Sequence, residues 1–179
     1  HSGLLEHLAA SDSGLRLTGV DRNPASLERA GARAHAAGLG AGEHPAIRWL
    51  AADLFEPATW APEVADGGPG VLFSIHAHEL IADGTARLEG ALADLGERLP
   101  GWTVALLEQP LLPPEAEPGT PESLWLYNCS NVLIHHLIGN GRILPAAEWQ
   151  ALLTRAGGTD VQARPLGYLG YHAYTARLG

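Results

Sequence analysis

The chain has 179 residues, of which 46% are apolar and 17% are charged, and its mean hydropathy is close to zero. This length and composition suit one globular domain with a buried core and exclude a disordered chain. The formal net charge is −9 and all 11 basic residues are arginine. Non-specific binding to nucleic acid or to anionic membranes is therefore not expected, because both depend on clustered cations.

A single cysteine, Cys129, excludes a disulfide framework and a multi-cysteine metal site, and it suits a reducing compartment. No apolar run approaches the about 20 residues that a membrane span needs, and no signal-peptide pattern is visible. The sequence thus predicts a soluble cytoplasmic protein. Because the chain begins at His1 and contains no methionine, we expect a processed chain or a fragment.

Short apolar runs alternate with helical patterns along the chain, which is typical of a parallel sheet flanked by helices. The first part predicts a helix that ends near residue 10, a strand over 15–20, a helix that begins at Pro24, and a strand over 47–53. A segment punctuated by proline and glycine continues from there to Gly70.

The second part predicts a fully apolar, buried strand over 71–75, another buried strand over 102–108, and helices over 85–99, 123–138 and 145–156. Residues 109–123 are too rich in proline for regular structure and are predicted to form an exposed insertion. Residues 159–165 and 170–179 predict a terminal antiparallel strand pair. The fold class is therefore a single α/β domain over 1–179, Rossmann-like and doubly wound, with a mostly parallel sheet.

In a doubly wound sheet, ligands bind at the carboxyl ends of the strands. The polar residues at those positions are Asp21, Asp53, the cluster 76–79 and Glu108. A carboxylate after the second strand of such a fold can accept hydrogen bonds from a ribose diol. The alternative roles are a helix cap for Asp21 and a turn cap for Asp53.

The order of these motifs resembles that of the class I S-adenosylmethionine-dependent methyltransferases. The resemblance covers nearly the whole chain, and it depends on the succession GVDRNP, AAD followed by Leu54 and Phe55, SIHAHEL, LLEQP and the final strand pair. It implies S-adenosylmethionine as cofactor. It also implies that Asp21 binds the ribose hydroxyls, that Asp53 faces the adenine amino group beside Leu54, and that Ser74 lies near the methionine end.

The same resemblance implies that Gly3 is the last glycine of a cofactor-binding loop. The strand and the glycines that precede this position in the family are absent, so we expect an N-terminally truncated domain that lacks its first, central strand. A tag remnant over residues 1–3 is the alternative interpretation.

Methyl transfer from a sulfonium depends on positioning and on deprotonation of the acceptor. His78 and Glu108 follow neighbouring strands, and a carboxylate that orients a histidine ring is a general-base arrangement. The spacing is similar to that of methyltransferase domains in polyketide synthases, which implies His78 rather than His76 as the base. Glu79 and Leu80 replace the Ala-Thr of those domains, so oxygen and acidic carbon both stay open as acceptor. The alternatives are a helix cap for either histidine and a solvent-exposed carboxylate for Glu108.

Residues 124–142 are aromatic, rich in amides and helical, and the resemblance implies that they border an acceptor pocket. The side chains expected to contact substrate are His76, Tyr127, Asn128 and His135, with packing or solvent exposure as the alternative. Adjacent His135 and His136 cannot face the same side of a helix, so no metal site is expected. Tyr168 or Tyr171 is expected near the pocket mouth.

The sequence therefore predicts methyl transfer from S-adenosylmethionine to a small organic acceptor, at oxygen or acidic carbon, with His78 as base and Glu108 as its orienting partner. The alternatives are a non-methylating cofactor-binding or scaffold module of the same fold and, less favoured, a nicotinamide dehydrogenase. A small-molecule substrate is the expected partner, with a homodimer or a biosynthetic-pathway protein as further options.

Overall fold

The computed structural model describes residues 2–11, 16–39, 47–112, 121–166 and 170–179. Its contacts divide into two compact units, residues 1–68 and 69–179, and each unit has a sheet of its own. The centre of the predicted proline-rich insertion, 113–120, lies outside the described residues. Within the described part of the chain, no helix combines the length and apolarity that crossing a bilayer requires.

The first unit alternates helices and strands, in the order α1 (Ser2–Ser11), β1 (Leu17–Asp21), α2 (Pro24–Ala36), β2 (Ile47–Ala51) and α3 (Pro57–Ala65). Strands β1 and β2 are parallel, with Asp21 opposite Ala51. Helix α2 begins at Pro24 as predicted, because proline has the backbone angle of a first helical turn and Asn23 Oδ1 accepts a hydrogen bond from the Ala25 amide at 3.1 Å.

Helix α3 is absent from the sequence prediction, which treats its segment as irregular because of the prolines. Pro57 stands in the first turn, where its missing N–H is harmless, and a second proline, Pro62, lies inside the helix. Trp60 and Ala61 are buried, at 2% and 0% exposure. The helix therefore contains an interior proline and still presents a buried face to the core of the first unit.

The second unit contains eight described elements: β3 (Val71–Ile75), a 3₁₀ helix (Ala77–Ile81), α4 (Ala86–Arg98), β4 (Thr103–Glu108), α5 (Glu122–Ile138), α6 (Ala146–Arg155), β5 (Thr159–Pro165) and β6 (His172–Arg177). The strand order is β3-β4-β6-β5. β3 and β4 are parallel, whereas β6 is antiparallel to both of its neighbours. The predicted α/β class with a terminal antiparallel pair is confirmed.

Helices α4 and α6 each contribute several apolar side chains to the core of this unit. The predicted core face of α4 is buried, and so are Trp149, Leu152 and Leu153 of α6. In β4 every second side chain is buried, ending with Glu108, so alternation along a strand brings a carboxylate into the core.

The prediction that the strand over 71–75 is fully buried is wrong for two side chains. Val71 is 63% exposed and Phe73 is 40% exposed. Successive side chains of a strand alternate between the faces of a sheet, so these two residues share a face. In the described part of the chain, β3 is paired along one edge only, with β4. An apolar run does not itself show how many faces or edges of a strand are covered.

Leu152→Ala should lower the free energy of unfolding by about 2–5 kcal/mol, because it removes a fully buried side chain and leaves a cavity. Leu137→Ala is the matched control, since it is the same change at a helical position that is 71% exposed. We expect the control to stay within about 0.5 kcal/mol of the wild type. Urea unfolding of both variants measures the difference, and equal losses would contradict the assignment of α6 to the core.

Candidate active site

The carboxyl ends of β3 and β4 lie side by side, with Ile75 opposite Leu107. The residues that follow Ile75 therefore start next to Glu108, as the sequence predicts. His76 adopts a left-handed conformation, with φ 63° and ψ 38°. Non-glycine residues are uncommon there, although histidine is among the more tolerant. This turn starts the 3₁₀ helix that carries His78.

His78 and Glu108 form a short, buried contact. The His78 Nδ1 atom lies 2.6 Å from Glu108 Oε2, and the His78 main-chain N–H donates to Oε1 at 3.3 Å. Glu108 has no exposed surface and His78 is 8% exposed. Because burying a charge without a partner is costly, this carboxylate needs the histidine donors. The alternatives of a helix cap for His78 and a solvent-exposed carboxylate for Glu108 are wrong.

The remaining ring nitrogen of His78 faces α5. His78 Nε2 lies 3.1 Å from His135 Nε2, and the two rings meet edge to face with centroids 4.5 Å apart. His135 Nδ1 in turn lies 2.8 Å from Asn140 Oδ1. Its neighbour His136 is exposed, so the two adjacent histidines do face different directions. The order Glu108, His78, His135, Asn140 is thus one continuous chain of hydrogen bonds.

The turn after α5 packs directly on this chain of hydrogen bonds. Gly139, with φ 63°, ends the helix, and the Arg142 N–H donates to the His78 carbonyl at 2.9 Å. A Cβ on Gly141 would lie 2.9 Å from the His78 carbonyl oxygen and 3.2 Å from His135 Nδ1. Only glycine fits there without displacing backbone. The Gly-Asn-Gly sequence signals this turn, but it does not show what the turn covers.

A second histidine contact lies beside the first. His76 Nε2 is 3.2 Å from the Tyr171 hydroxyl, and the His76 and His78 ring centroids are 5.3 Å apart. Tyr171, which begins the approach to β6, is therefore close to the predicted site, whereas Tyr168 lies outside the described residues. No group of three or more His, Cys, Asp or Glu side chains in the described ranges is arranged to hold a metal ion.

The polar residues of α5 make mostly structural contacts. Asn128 is 2% exposed; its Nδ2 donates to the Pro110 carbonyl at 2.8 Å and its Oδ1 accepts from the Leu112 N–H at 3.1 Å. Asn128 therefore holds the chain that leaves β4. Tyr127 is 38% exposed. The acceptor contacts expected of Tyr127 and Asn128 stay predictions.

In the first unit, Asp21 ends β1 and Asp53 follows β2, so both carboxylates lie at the carboxyl end of that parallel pair. Asp21 is exposed and accepts from the Asn23 N–H at 2.8 Å. The helix cap itself is Asn23, so the alternative that Asp21 caps α2 is wrong. Asp53 is half-buried and accepts from the Phe55 N–H at 2.9 Å.

The other residues proposed for the cofactor are placed as follows. Leu54 is half-buried in the turn directly after Asp53, and Gly3 lies in the first turn of α1. Ser74 is half-buried in β3 of the second unit, opposite Leu106. A carboxylate accepts hydrogen bonds from hydroxyl groups and from an exocyclic amine. Asp21 and Asp53 therefore fit a nucleoside, and their assignment to S-adenosylmethionine stays a prediction.

The buried charge of Glu108 also acts on Tyr174 of β6. Burial raises the pKa of the Tyr174 hydroxyl well above its ordinary value, and the negative charge of Glu108 raises it further. Tyr174 has no exposed surface, and among the described residues its hydroxyl has no hydrogen-bond partner. This hydroxyl stays protonated, and no hydrogen bond within the described residues replaces those it would make with water.

Tyr174→Phe should therefore keep or increase the free energy of unfolding, by up to about 1 kcal/mol, because it removes a buried polar group that has no partner. Tyr127→Phe, the same change at an exposed position, should leave stability unchanged. Thermal unfolding of both variants measures this. A clear loss of stability in Tyr174→Phe alone would mean that the hydroxyl is hydrogen-bonded.

No protein-family model and no curated protein matches this chain. Solved structures do match it. The mitomycin 7-O-methyltransferase MmcR has a TM-score of 0.72 at 17% identity, over 99% of this chain and 46% of that one. Human N-acetylserotonin methyltransferase, in complex with S-adenosylmethionine, has a TM-score of 0.67 at 19% identity, over 99% and 45%. The S-adenosylmethionine-dependent methyltransferase SibL has a TM-score of 0.66 at 23% identity, over 97% and 46%.

These matches show that the chain has the fold of the class I S-adenosylmethionine-dependent methyltransferases, as the order of its motifs predicts. The chain spans a little under half the length of the three solved proteins.

Proposed function

We propose that this protein transfers a methyl group from S-adenosylmethionine to an oxygen atom of a small organic acceptor, with His78 as the general base and Glu108 as the residue that orients it. The observation that carries the proposal is the buried 2.6 Å contact between the two side chains at adjacent strand ends. Oxygen is favoured over acidic carbon because a similar solved structure is named as an O-methyltransferase.

Bound S-adenosylmethionine supplies an electrophilic methyl group, and the acceptor oxygen becomes a strong nucleophile when it loses its proton. Glu108 keeps the proton of His78 on Nδ1, so Nε2 is the atom that takes the acceptor proton. The carboxylate then stabilises the imidazolium that forms. Because His78 is nearly buried, water competes little for Nε2.

Cofactor binding is assigned to the two carboxylates of the first unit. Asp21 would accept from the ribose hydroxyls and Asp53 from the adenine amino group, with Leu54 against the ring. Gly3 would be the last glycine of the cofactor-binding loop, and the placement of Ser74 near the methionine end stays a prediction. The donor-rich edge of a nucleoside matches acceptor-only carboxylates, which supports this assignment.

His78→Ala should leave S-adenosylmethionine affinity unchanged and lower turnover by about 100-fold or more, the usual effect of losing a general base. Formation of S-adenosylhomocysteine with a panel of phenols and enols measures turnover, and calorimetry measures affinity. His136→Ala, at an exposed position of α5, is the control and should behave as the wild type. Wild-type turnover in His78→Ala would refute the role of His78 as base.

Asp21→Ala should weaken S-adenosylmethionine binding by about tenfold to a hundredfold, the effect of losing hydrogen bonds to a charged group. Asp66→Ala, which changes an exposed aspartate at the end of α3, is the control. Calorimetry on both variants tests the assignment, and equal affinities would exclude Asp21 from the cofactor site. Wild-type binding without any turnover would favour the alternative of a non-methylating cofactor-binding module.

A further inference from the structure

The general base proposed above needs a free Nε2 atom on His78, and in this structure that atom faces a second histidine at 3.1 Å. We propose that His78 and His135 hold one proton between their Nε2 atoms and act as a single proton-accepting pair, with Asn140 fixing the ring of His135. The proposal deepens the proposed function, because it concerns the same base. In this proposal His135 shares the proton that His78 receives.

The proton count follows from the two ends of the chain of hydrogen bonds. At one end the Glu108 carboxylate is a pure acceptor, so His78 carries its proton on Nδ1. At the other end Asn140 Oδ1 is also an acceptor, so His135 carries its proton on Nδ1 as well. If both rings are neutral, two Nε2 lone pairs face each other. One added proton between them turns this repulsive contact into a hydrogen bond.

The opposite orientation of the Asn140 side-chain amide would give a different arrangement of protons on His135. If its nitrogen rather than its oxygen faces His135, Asn140 donates to Nδ1, and His135 must then carry its proton on Nε2. In that arrangement His135 donates to His78 Nε2, and the pair needs no added proton. The two amide orientations therefore correspond to two different proton counts, and an experiment that locates ring protons distinguishes them.

The charges around the pair stabilise the proton after the neutral pair has accepted it from the acceptor. Glu108, fully buried, supplies a negative charge from the β4 side. The ring of His76 lies 5.3 Å from that of His78 between centroids, and it is hydrogen-bonded to Tyr171. From the turn after α5, Arg142 contributes its main-chain N–H to the His78 carbonyl, while its side chain is exposed. Among the described residues, Glu108 is the carboxylate that is hydrogen-bonded to the pair, and its charge balances one positive charge.

The two histidines accept the proton that the acceptor hydroxyl loses during methyl transfer. During methyl transfer the acceptor O–H bond breaks, and a new N–H bond forms at His78 Nε2. The proton is then shared with His135 Nε2. His78 is 8% exposed, whereas His135 is half-buried, so the shared proton leaves to water from His135 Nε2, and Nδ1 of each ring keeps its own proton. Release restores two neutral rings.

Long-range ¹H–¹⁵N spectra of the full chain, labelled with ¹⁵N-histidine, report which ring nitrogens carry protons. We expect Nδ1 of both His78 and His135 to be protonated throughout a pH titration, and the two Nε2 atoms together to gain one proton in a single step. Asn140→Asp places an acceptor-only carboxylate beside His135 and should give the same proton pattern as the wild type.

Two leucine variants complete the test. In His135→Leu, His78 Nε2 should gain a whole proton alone, whereas His136→Leu, at the exposed neighbouring position, should keep the shared pattern. The proposal would be overturned if, in the wild type, His135 carried its proton on Nε2 and none on Nδ1, while in Asn140→Asp it carried a proton on Nδ1. Two Nε2 atoms that gain one proton each would also overturn it.

These spectra need no acceptor, so they separate the inference from the proposed function. A shared proton together with wild-type turnover in His78→Ala would refute the general base and leave the proton-sharing pair. Unshared protons together with a large loss of turnover in His78→Ala would keep the base and refute the role of His135.

Discussion

Glu108 ends β4 with a carboxylate that has no contact with solvent. Leaving such a charge without donors would cost several kcal/mol, which is a large fraction of the net stability of a protein of this size. The main-chain N–H and the ring of His78 are both hydrogen-bonded to this carboxylate. The parallel pairing of β3 with β4 and the left-handed conformation of His76 bring them to it. The buried carboxylate therefore determines the geometry of the strand ends and of the residues around them.

Helix α5 contacts both His78 and the segment that follows Glu108. Asn128 fixes the chain that leaves β4, and His135 completes the hydrogen bonds of His78. The turn that follows packs on the carbonyl of His78, at a distance that admits only glycine at position 141. The candidate base is thus held from three sides, by β4, by α5 and by the turn, which is the kind of preorganisation that proton transfer requires.

The contact of Glu108 with a histidine could be predicted from two apolar runs that end in polar residues on neighbouring strands, and the choice of His78 over His76 came from the resemblance. The contact between His78 and His135 could not, since it joins residues 57 positions apart and depends on how α5 packs. Helix α3 was not predicted because its segment is rich in proline and glycine, and the burial of its Trp60 and Ala61 depends on tertiary packing. The exposure of Val71 was missed for a related reason, because hydrophobicity does not show which faces of a strand are covered.

Position 141 constrains how proteins of this fold can diversify. A helix such as α5 is an obvious element to exchange when a new acceptor is wanted, because the resemblance places it beside the acceptor. Here the same helix supplies the partner of the candidate base, and its C-terminal turn fits against His78 with no space for a side chain. A transplanted helix would bring a different partner for His78 and a turn of different fit. The partner of His78 and the fit of the turn against its carbonyl would therefore change together if residues 122–142 were exchanged.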